Sequence, residues 1–503
     1  MSYTIGIDLG TTYSACAYIN VDGKSEIIPN SEGERITPSV VFFEDDNVVV
    51  GSYAKSVAVS EGERVIQFIK RRMGGDYQIH QNGRNYTPEE ISALILKKLK
   101  QDAELFLNTQ ISDVVITVPA YFDDKRRIAT KTAGEIAGLN VLRIINEPTA
   151  AALEFCASRE VDNKTILVYD LGGGTFDITI MQVNGKNVDV TATGGDHELG
   201  GKDIDDCLVN LFQAEFIKAT GFDPLISIAG EQELRAKAEE TKRKLSSSPQ
   251  TRVALNVEGR VANFKVSQHQ FEEIIEEIVL RTEMNIELVL EEAELTTEDI
   301  DDVLLVGGST RIPLVGKMLT RLFGKEPLRT VNPDEVVAQG AAILASTIGV
   351  EPRTRSSTTT NALPTVSDVC AHSLGVVSLN DFKVPENSII IQKNSKIPCE
   401  ASEVYGTVAK NQSKIKIIIL QGDAQDPDDC VVLGEAYLEN LPPSEAGSPV
   451  EITFLYDHNG ILSVTGIFQL TGQSVSAKIE VQGTMSPEKA RQSMQELKSV
   501  NVE

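Results

Sequence analysis

Two stretches of this chain place carboxylates, glycines and hydroxyls where an anion can be held. In the first, an apolar run over 166–169 leads to Asp170 and Leu171. Gly172-Gly173-Gly174-Thr175 follows, then Phe176, Asp177 and a second apolar run to Met181. The second stretch is Ile5-Gly6-Ile7-Asp8-Leu9-Gly10-Thr11-Thr12-Tyr13-Ser14, with the same order of strand, Asp, Leu, Gly and hydroxyls. Glycine has no Cβ, so the backbone can turn sharply there and approach a ligand. Consecutive N–H groups in such a turn form a nest for an anion, typically phosphate. Asp170 and Asp177 flank the nest, and acceptor-only oxygens suit hydrated Mg²⁺. A plain hairpin explains one such stretch equally well. Two copies, each with Asp-Leu-Gly at the turn, point to two halves of one fold facing each other across a nucleotide. The symmetry is weak and has no short period, which excludes repeat arrays.

Strands and helices must hold these turns, and the pattern supplies both. The runs 166–169 and 178–181 read as strands. Thr87-Pro88-Glu89-Glu90 opens a helix, with a cap, a proline in the first turn and acids near the positive end of the dipole. Its apolar positions Ile91, Leu94, Ile95 and Leu99 share one face. A strand over 114–118 ends at Pro119, a helix covers 125–138, and a strand over 141–145 runs into Asn146-Glu147-Pro148-Thr149 and an Ala-rich helix. Strands alternating with helices indicate an α/β architecture. Gly194–Asp206 reads as a glycine turn, with Gly200 and Gly201, entering a helix. On a charged helix over 231–247, Glu239, Lys242, Arg243 and Ser246 share a face. Taken alone, that stripe is a solvated surface. A buried strand over 303–306 enters the turn Gly307-Gly308-Ser309-Thr310-Arg311, at the strand end where α/β sheets place ligands.

The composition changes after this point. Residues 351–365 carry Pro, Arg, Ser and Thr and read as a linker. Strands over 414–420, 450–456, 461–466 and 474–481 follow, with a hairpin turn at Asp457-His458-Asn459-Gly460, and predict a β-sandwich. The tail from Ser486 is a short helix. The 503 residues exceed one domain. A net charge of −26 argues against nonspecific nucleic-acid or anionic-membrane binding. No apolar run is long enough to span a bilayer, and no signal peptide precedes the first strand. The six cysteines are scattered without CxxC spacing and read as reduced core thiols. A cytoplasmic protein without nucleic-acid or membrane partners fits, and a monomer is expected.

Taken together, these residues resemble the 70-kDa heat-shock chaperone family, the DnaK-type chaperones, over nearly the whole chain. The carrying motifs are the two hairpins, Ile66-Gln67-Phe68-Ile69-Lys70-Arg71, Ile116-Thr117-Val118-Pro119-Ala120-Tyr121-Phe122, the run Ile144 to Ala152, and Val306 to Pro313. The resemblance implies an actin-like nucleotide-binding domain of two pseudo-symmetric lobes over 1–352 and a linker over 353–369. A peptide-binding β-sandwich over 370–484 and a helical stub of a truncated lid over 485–503 complete it. It implies ATP or ADP with Mg²⁺, and K⁺ as a further candidate ion. Asp8 and Asp170 would hold Mg²⁺ through its waters. Gly10, Thr11, Thr12, Tyr13 and the turn Gly172, Gly173, Gly174, Thr175 would cradle phosphates. Lys70 would orient the attacking water, Glu147 would sit by metal and nucleophile, and Thr175 and Asp177 would complete the site. Positioning and charge neutralisation are what phosphoryl transfer needs most. The stripe Glu239, Lys242, Arg243 and Ser246 matches an adenosine clamp, together with Gly308, Ser309, Arg311 and Asp334; Gly200, Gly201 and Gly307 join the nucleotide set.

The resemblance further implies that Pro119 and Arg127 relay nucleotide state, and that Arg143, Asn146 and Asp368 contact a J-domain co-chaperone. In the sandwich, Leu379 and Val408 align with an arch over bound peptide, Tyr405 with a groove wall, and Ile415 and Ile417 with an apolar pocket. Ordinary sandwich core explains these five as well. The implied function is an ATP-dependent chaperone of extended apolar peptides, with an exchange factor as a further partner. Three departures stand out. Pro364 lies in the linker and weakens edge-strand docking of that segment. Cys370-Ala371-His372-Ser373 replaces a segment that usually contains proline, and His372 is either a pH switch or a space filler. The chain stops at Glu503, before a helical lid, which predicts fast client exchange. The alternatives are a nucleotide-holding regulator docked on one dedicated partner, motivated by the linker and the missing lid, and a small-molecule kinase of the same fold.

Overall fold

The computed structural model describes residues 3–45, 47–159, 161, 163–348, 365–478 and 485–503. Its first sheet has the strand order Asn140–Asn146, Asp113–Val118, Ile5–Asp8, Tyr13–Ile19, Ser25–Ile28. The first three strands are parallel, and Tyr13–Ile19 returns antiparallel to Ile5–Asp8. Asp113–Val118 is buried from Val114 to Val118 because both of its faces are covered. Helices Pro88–Leu107 and Asp124–Ile136 contribute to the core on one side, and Val336–Ile348 packs on the other. The helix predicted from Thr87 begins there with a reciprocal cap: Glu90 N–H donates to Thr87 Oγ1, and Thr87 N–H donates to the Glu90 carboxylate at 2.9 Å.

The second sheet repeats the motif. Lys164–Leu171 pairs antiparallel with Phe176–Asn184 and parallel with Asp302–Val306, and Asn187–Asp196 follows on the far side. Its core gathers Phe212, Phe216 and Phe271 from helices Gly201–Thr220 and Gln268–Glu292. After residue 369 the chain forms two four-stranded antiparallel sheets. Phe454, Phe468, Ile417 and Ile419 share their common core. The turn predicted at 457–460 joins Pro449–Tyr456 to Leu462–Phe468. Of the strand predicted over 474–481, Gln473–Lys478 is observed, and 479–481 lies outside the described residues.

Two expectations are corrected. The linker was expected to dock poorly because of its proline. Residues 353–364 lie outside the described residues, but Thr365–Val369 is a strand. It adds in parallel to the edge of Asn187–Asp196, Val366 facing Val188, and pairs on its other side with Lys396–Ile397. Thr365 N–H donates to Lys186 O at 3.0 Å, and Pro364 lies outside the described residues. The tail was read as the stub of a lid. Its helix, Pro487–Lys498, packs on the helices of the first sheet rather than over the sandwich. Lys97 Nζ donates to the carbonyls of Leu497 and Val500 at 2.9 and 2.6 Å. Asn501–Val502 then pairs in parallel with the edge strand Asn47–Val50, and Val502 is buried in the first core.

Candidate functional site

Ile5–Asp8 and Lys164–Leu171 both end at the mouth of a cavity of about 350 Å³. The two glycine hairpins meet there so closely that side chains are excluded. A Cβ on Gly173 would lie 1.9 Å from Thr12 Oγ1, and one on Gly174 would lie 2.5 Å from Thr11 Oγ1. The glycines therefore answer to the opposite hairpin as well as to their own turn. Gly10, Thr11, Thr12, Tyr13, Gly172, Gly173 and Thr175 line the cavity. Gly174, Gly200 and Gly201 stand behind it. Gly201 N–H donates to Gly172 O at 2.9 Å and Lys202 N–H to Gly173 O at 2.8 Å, so the start of helix Gly201–Thr220 braces the turn.

Asp8, Asp170, Lys70 and Glu147 converge on the inner wall. Lys70 sits in the short turn Ile69–Arg72, entered through Phe68 in the left-handed region (φ 59°). Its Nζ lies 2.5 Å from Glu147 Oε1, and its side chain is 4% exposed. Glu147 opens helix Glu147–Ala157, so its charge also faces the positive end of that dipole. Thr117 Oγ1 donates to Asp8 at 3.0 Å. Asp177 does not line the cavity. Its Oδ1 accepts from Tyr121 N–H at 2.9 Å, and its Oδ2 is buried without a partner. Burial, and then the Glu147 charge, push Asp8 and Asp177 up to about 7; the same causes, with Asp177 and Asp8 adding repulsion, hold Asp170 well above the carboxylate range. One lysine thus faces four carboxylates, three of them buried, a donor set that favours an added cation. Among the described residues no three His, Cys, Asp or Glu side chains form a group that could hold a metal ion directly.

The opposite wall corrects the solvated reading of the helix stripe. Glu239, Lys242, Arg243 and Ser246, on or just after helix Ile228–Leu245, line the cavity. Gly307, Gly308, Ser309, Arg311 and Asp334 face them. Tyr13 OH donates to Glu239 Oε1 at 2.9 Å, Ser309 Oγ to Gly172 O at 3.0 Å, and Arg311 pairs with Asp334 at 2.5 Å. Apolar Ile36, Ile312 and Val337 complete the lining, as a flat base requires. Residue reasoning missed them, and it missed Lys55, which pairs with Glu239 at 2.6 Å and lies over the Tyr13 ring. It also missed Arg71, whose Nε donates to Gly174 O at 3.0 Å while its guanidinium holds Asp203. Only the position of Arg71 beside Lys70 signalled it.

The residues expected to relay nucleotide state and to meet a co-chaperone form a separate network toward the sandwich. Arg127 donates to Ala120 O, Phe122 O and Asn146 Oδ1 at 3.0, 3.1 and 2.7 Å. Asn146 Nδ2 and Thr149 Oγ1 donate to Asp368 Oδ2 at 2.9 and 3.0 Å. Arg143 is half-buried near Asp368 and Asp457, and desolvation lowers its pKa. Pro119 is buried at the end of Asp113–Val118, where its carbonyl accepts from Phe122 N–H. His372 packs its ring on Tyr121, with centroids 4.2 Å apart, and burial pushes it down to about 4. Of the peptide-groove expectations, Leu379 and Val408 are exposed. Tyr405 OH donates to Ser388 Oγ at 2.9 Å, and Ile415 borders the core. Ile417 is 2% exposed inside the core, so its position is that of an ordinary sandwich residue.

A family profile described as Hsp70 protein matches residues 4–82 and 75–503. The chain belongs to the Hsp70 family. It is 40% identical over 509 residues to the chaperone protein DnaK of Thermotoga neapolitana, covering 99% of this chain and 83% of that one. It is 41% identical over 482 residues to the DnaK of Thermosipho africanus, covering 94% and 79%. As an Hsp70 it is an ATP-hydrolysing molecular chaperone, with an ATPase part and a β-sandwich. The six cysteines are free thiols, and among the described residues no helix is long and apolar enough to cross a membrane.

Proposed function

We propose that the cavity holds ATP between two pseudo-symmetric lobes, one on each large sheet, and that its hydrolysis switches the sandwich between slow and fast exchange of extended apolar peptides. The interlocked hairpins beside the Lys70–Glu147 pair carry this reading. Their backbone N–H groups cradle the phosphates, while Glu239, Lys242, Arg243 and Ser246 clamp the adenosine with Gly308, Ser309, Arg311 and Asp334. Lys70 orients the attacking water at the γ-phosphate, Glu147 holds the Lys70 ammonium in place, and Thr175 and Asp177 close the site. Asp8 and Asp170 would hold Mg²⁺, which would supply neutralisation of phosphate charge. K⁺ is a further candidate beside Asp177, whose orphaned oxygen marks an unfilled acceptor.

The boundaries that fit are 1–352 for the nucleotide domain, 353–369 for the linker and 370–484 for the sandwich. Residues 485–503 dock on the first lobe. Leu379, Val408, Tyr405 and Ile415 frame the peptide groove. Arg143, Asn146 and Asp368 form the face that a J-domain co-chaperone reads; an exchange factor completes the cycle of a cytoplasmic monomer. The test is release of a labelled apolar peptide from the ADP form, before and after adding ATP. Faster release with ATP supports the coupled cycle. Equal release in both states refutes it and favours a nucleotide-holding regulator.

A further inference from the structure

Asp205 has no place in the assignments above, yet its setting is not that of a surface acid. It lies one turn into helix Gly201–Thr220 and does not line the cavity. Its Oδ2 is 2.8 Å from Lys242 Nζ, and the two side chains are 13% and 14% exposed. Lys242 also donates to Gly201 O at 3.0 Å. An ammonium carries three N–H donors. Two are engaged on protein oxygens, and Lys242 lines the cavity. A four-carbon stem left to itself samples many rotamers; the carboxylate and the carbonyl together fix this one.

A helix-to-helix staple does not explain the pair. The neighbouring Asp206 already joins the two helices through Arg235 at 2.7 Å, at a more exposed position. Asp205 Oδ1, by contrast, is enclosed without a partner, which is costly. Burial with Glu239 and Asp206 nearby pushes the Asp205 carboxyl up to about 6, although Lys242 opposes it. The pairing also changes what Lys242 offers. An unpaired ammonium attracts phosphate, whereas one already neutralised by a carboxylate offers an N–H without net charge. That suits a neutral hydroxyl.

We infer that Asp205 is a positioning residue that aims the remaining N–H of Lys242 at a sugar hydroxyl of the bound nucleotide. The inference rests on the adenosine-clamp reading above. The test compares the affinities of ATP, 2′-deoxy-ATP and 3′-deoxy-ATP for wild type, Asp205→Asn and Lys242→Met, with kcat and KM for ATP. A hydrogen bond from a donor without net charge corresponds to up to about tenfold. Wild type should bind ATP about tenfold more tightly than one of the two deoxy analogues. Asp205→Asn should lose that gap by weakening ATP alone, raising KM with kcat unchanged. Lys242→Met should lose the same gap, and the double variant should be no worse. As pH falls through 6, wild type should lose the discrimination while Asp205→Asn stays flat; this readout needs only the native protein for its first half. Equal weakening of all three nucleotides by Asp205→Asn would mean a staple and overturn the inference. Wild type that binds ATP without sugar discrimination overturns the aim of Lys242 alone. Wild type that does not bind ATP overturns the clamp reading with it.

Discussion

Lys70→Met separates what the buried ion pair does for stability from what it does for chemistry. At 2.5 Å from Glu147 Oε1 and an effective dielectric near 20, the attraction is about 6–7 kcal/mol. Desolvation of both groups offsets much of this, and removing one partner of a buried pair costs about 3–5 kcal/mol. Glu147 would then face Asp8, Asp170 and Asp177 without its own cationic partner, since it raises the pKa of all three. Denaturant midpoints without nucleotide should fall accordingly in Lys70→Met. Adding Glu147→Gln should restore most of the loss, because the stranded charge is gone. Hydrolysis should not recover. Loss of one preorganised charged donor costs about 10²–10³ in rate, and the double variant lacks it too. Single-turnover hydrolysis of radiolabelled ATP reads this directly. A rate within about threefold of wild type in either variant would refute the placement of Lys70 on the reacting water.

Four further outcomes follow from distances. Gly173→Ala puts a Cβ 1.9 Å from Thr12 Oγ1; overpacking of about 1–3 kcal/mol should weaken ATP binding roughly tenfold by calorimetry, and Thr12→Ala should relieve part of it. Asp368→Ala strands the donors of Asn146 and Thr149, so ATP-accelerated peptide release should fall about tenfold with basal hydrolysis retained. Docking of the sandwich should depend on pH through two opposed groups. His372 falls from 6.5 to about 4 when buried, so docking weakens as pH drops through that window; Asp124, which accepts from Tyr456 OH and Leu462 N–H, rises from 3.8 to about 7, so docking strengthens as pH drops. The two cancel between 4 and 6.5, and wild type should be flat there, whereas His372→Leu should dock more tightly by up to about tenfold per pH unit, read by energy transfer between labels; a flat His372→Leu refutes it. Val502→Asp buries a charge beside Val48, and the Val50 amide, which donates to Glu503 O, should lose its hydrogen-exchange protection.

The parts of the fold visible in the sequence are those set by local periodicity. The turn from Asp170 to Asp177, the capped helix at Thr87 and the alternating strand after Lys414 each carry their own signal. Lys70 and Glu147 lie 77 residues apart, and no spacing rule joins them; only family motifs pointed to the pair. The charged face of Glu239 and Lys242 misled residue reasoning because a cleft wall and a solvated face have the same composition. Val502 was invisible because an edge strand recruits backbone, whatever the side chains. Asp205 was invisible because its worth depends on which oxygen Lys242 leaves free.

The sandwich is fastened at both of its ends, and to different sheets. Thr365–Val369 joins the second sheet, and the tail from Pro487 joins the first. In the sequence, eight residues, 479–486, lie between Lys478 of the sandwich and Pro487 of that tail helix. Eight residues reach about 28 Å at full extension. A crossbar pinned to two plates through such short ties has little slack. Any closing or opening of the cleft must tilt the crossbar, stretch a tie or pull an anchor loose. On the proposed reading, the sandwich is therefore built as a strain gauge for the cleft between the two sheets.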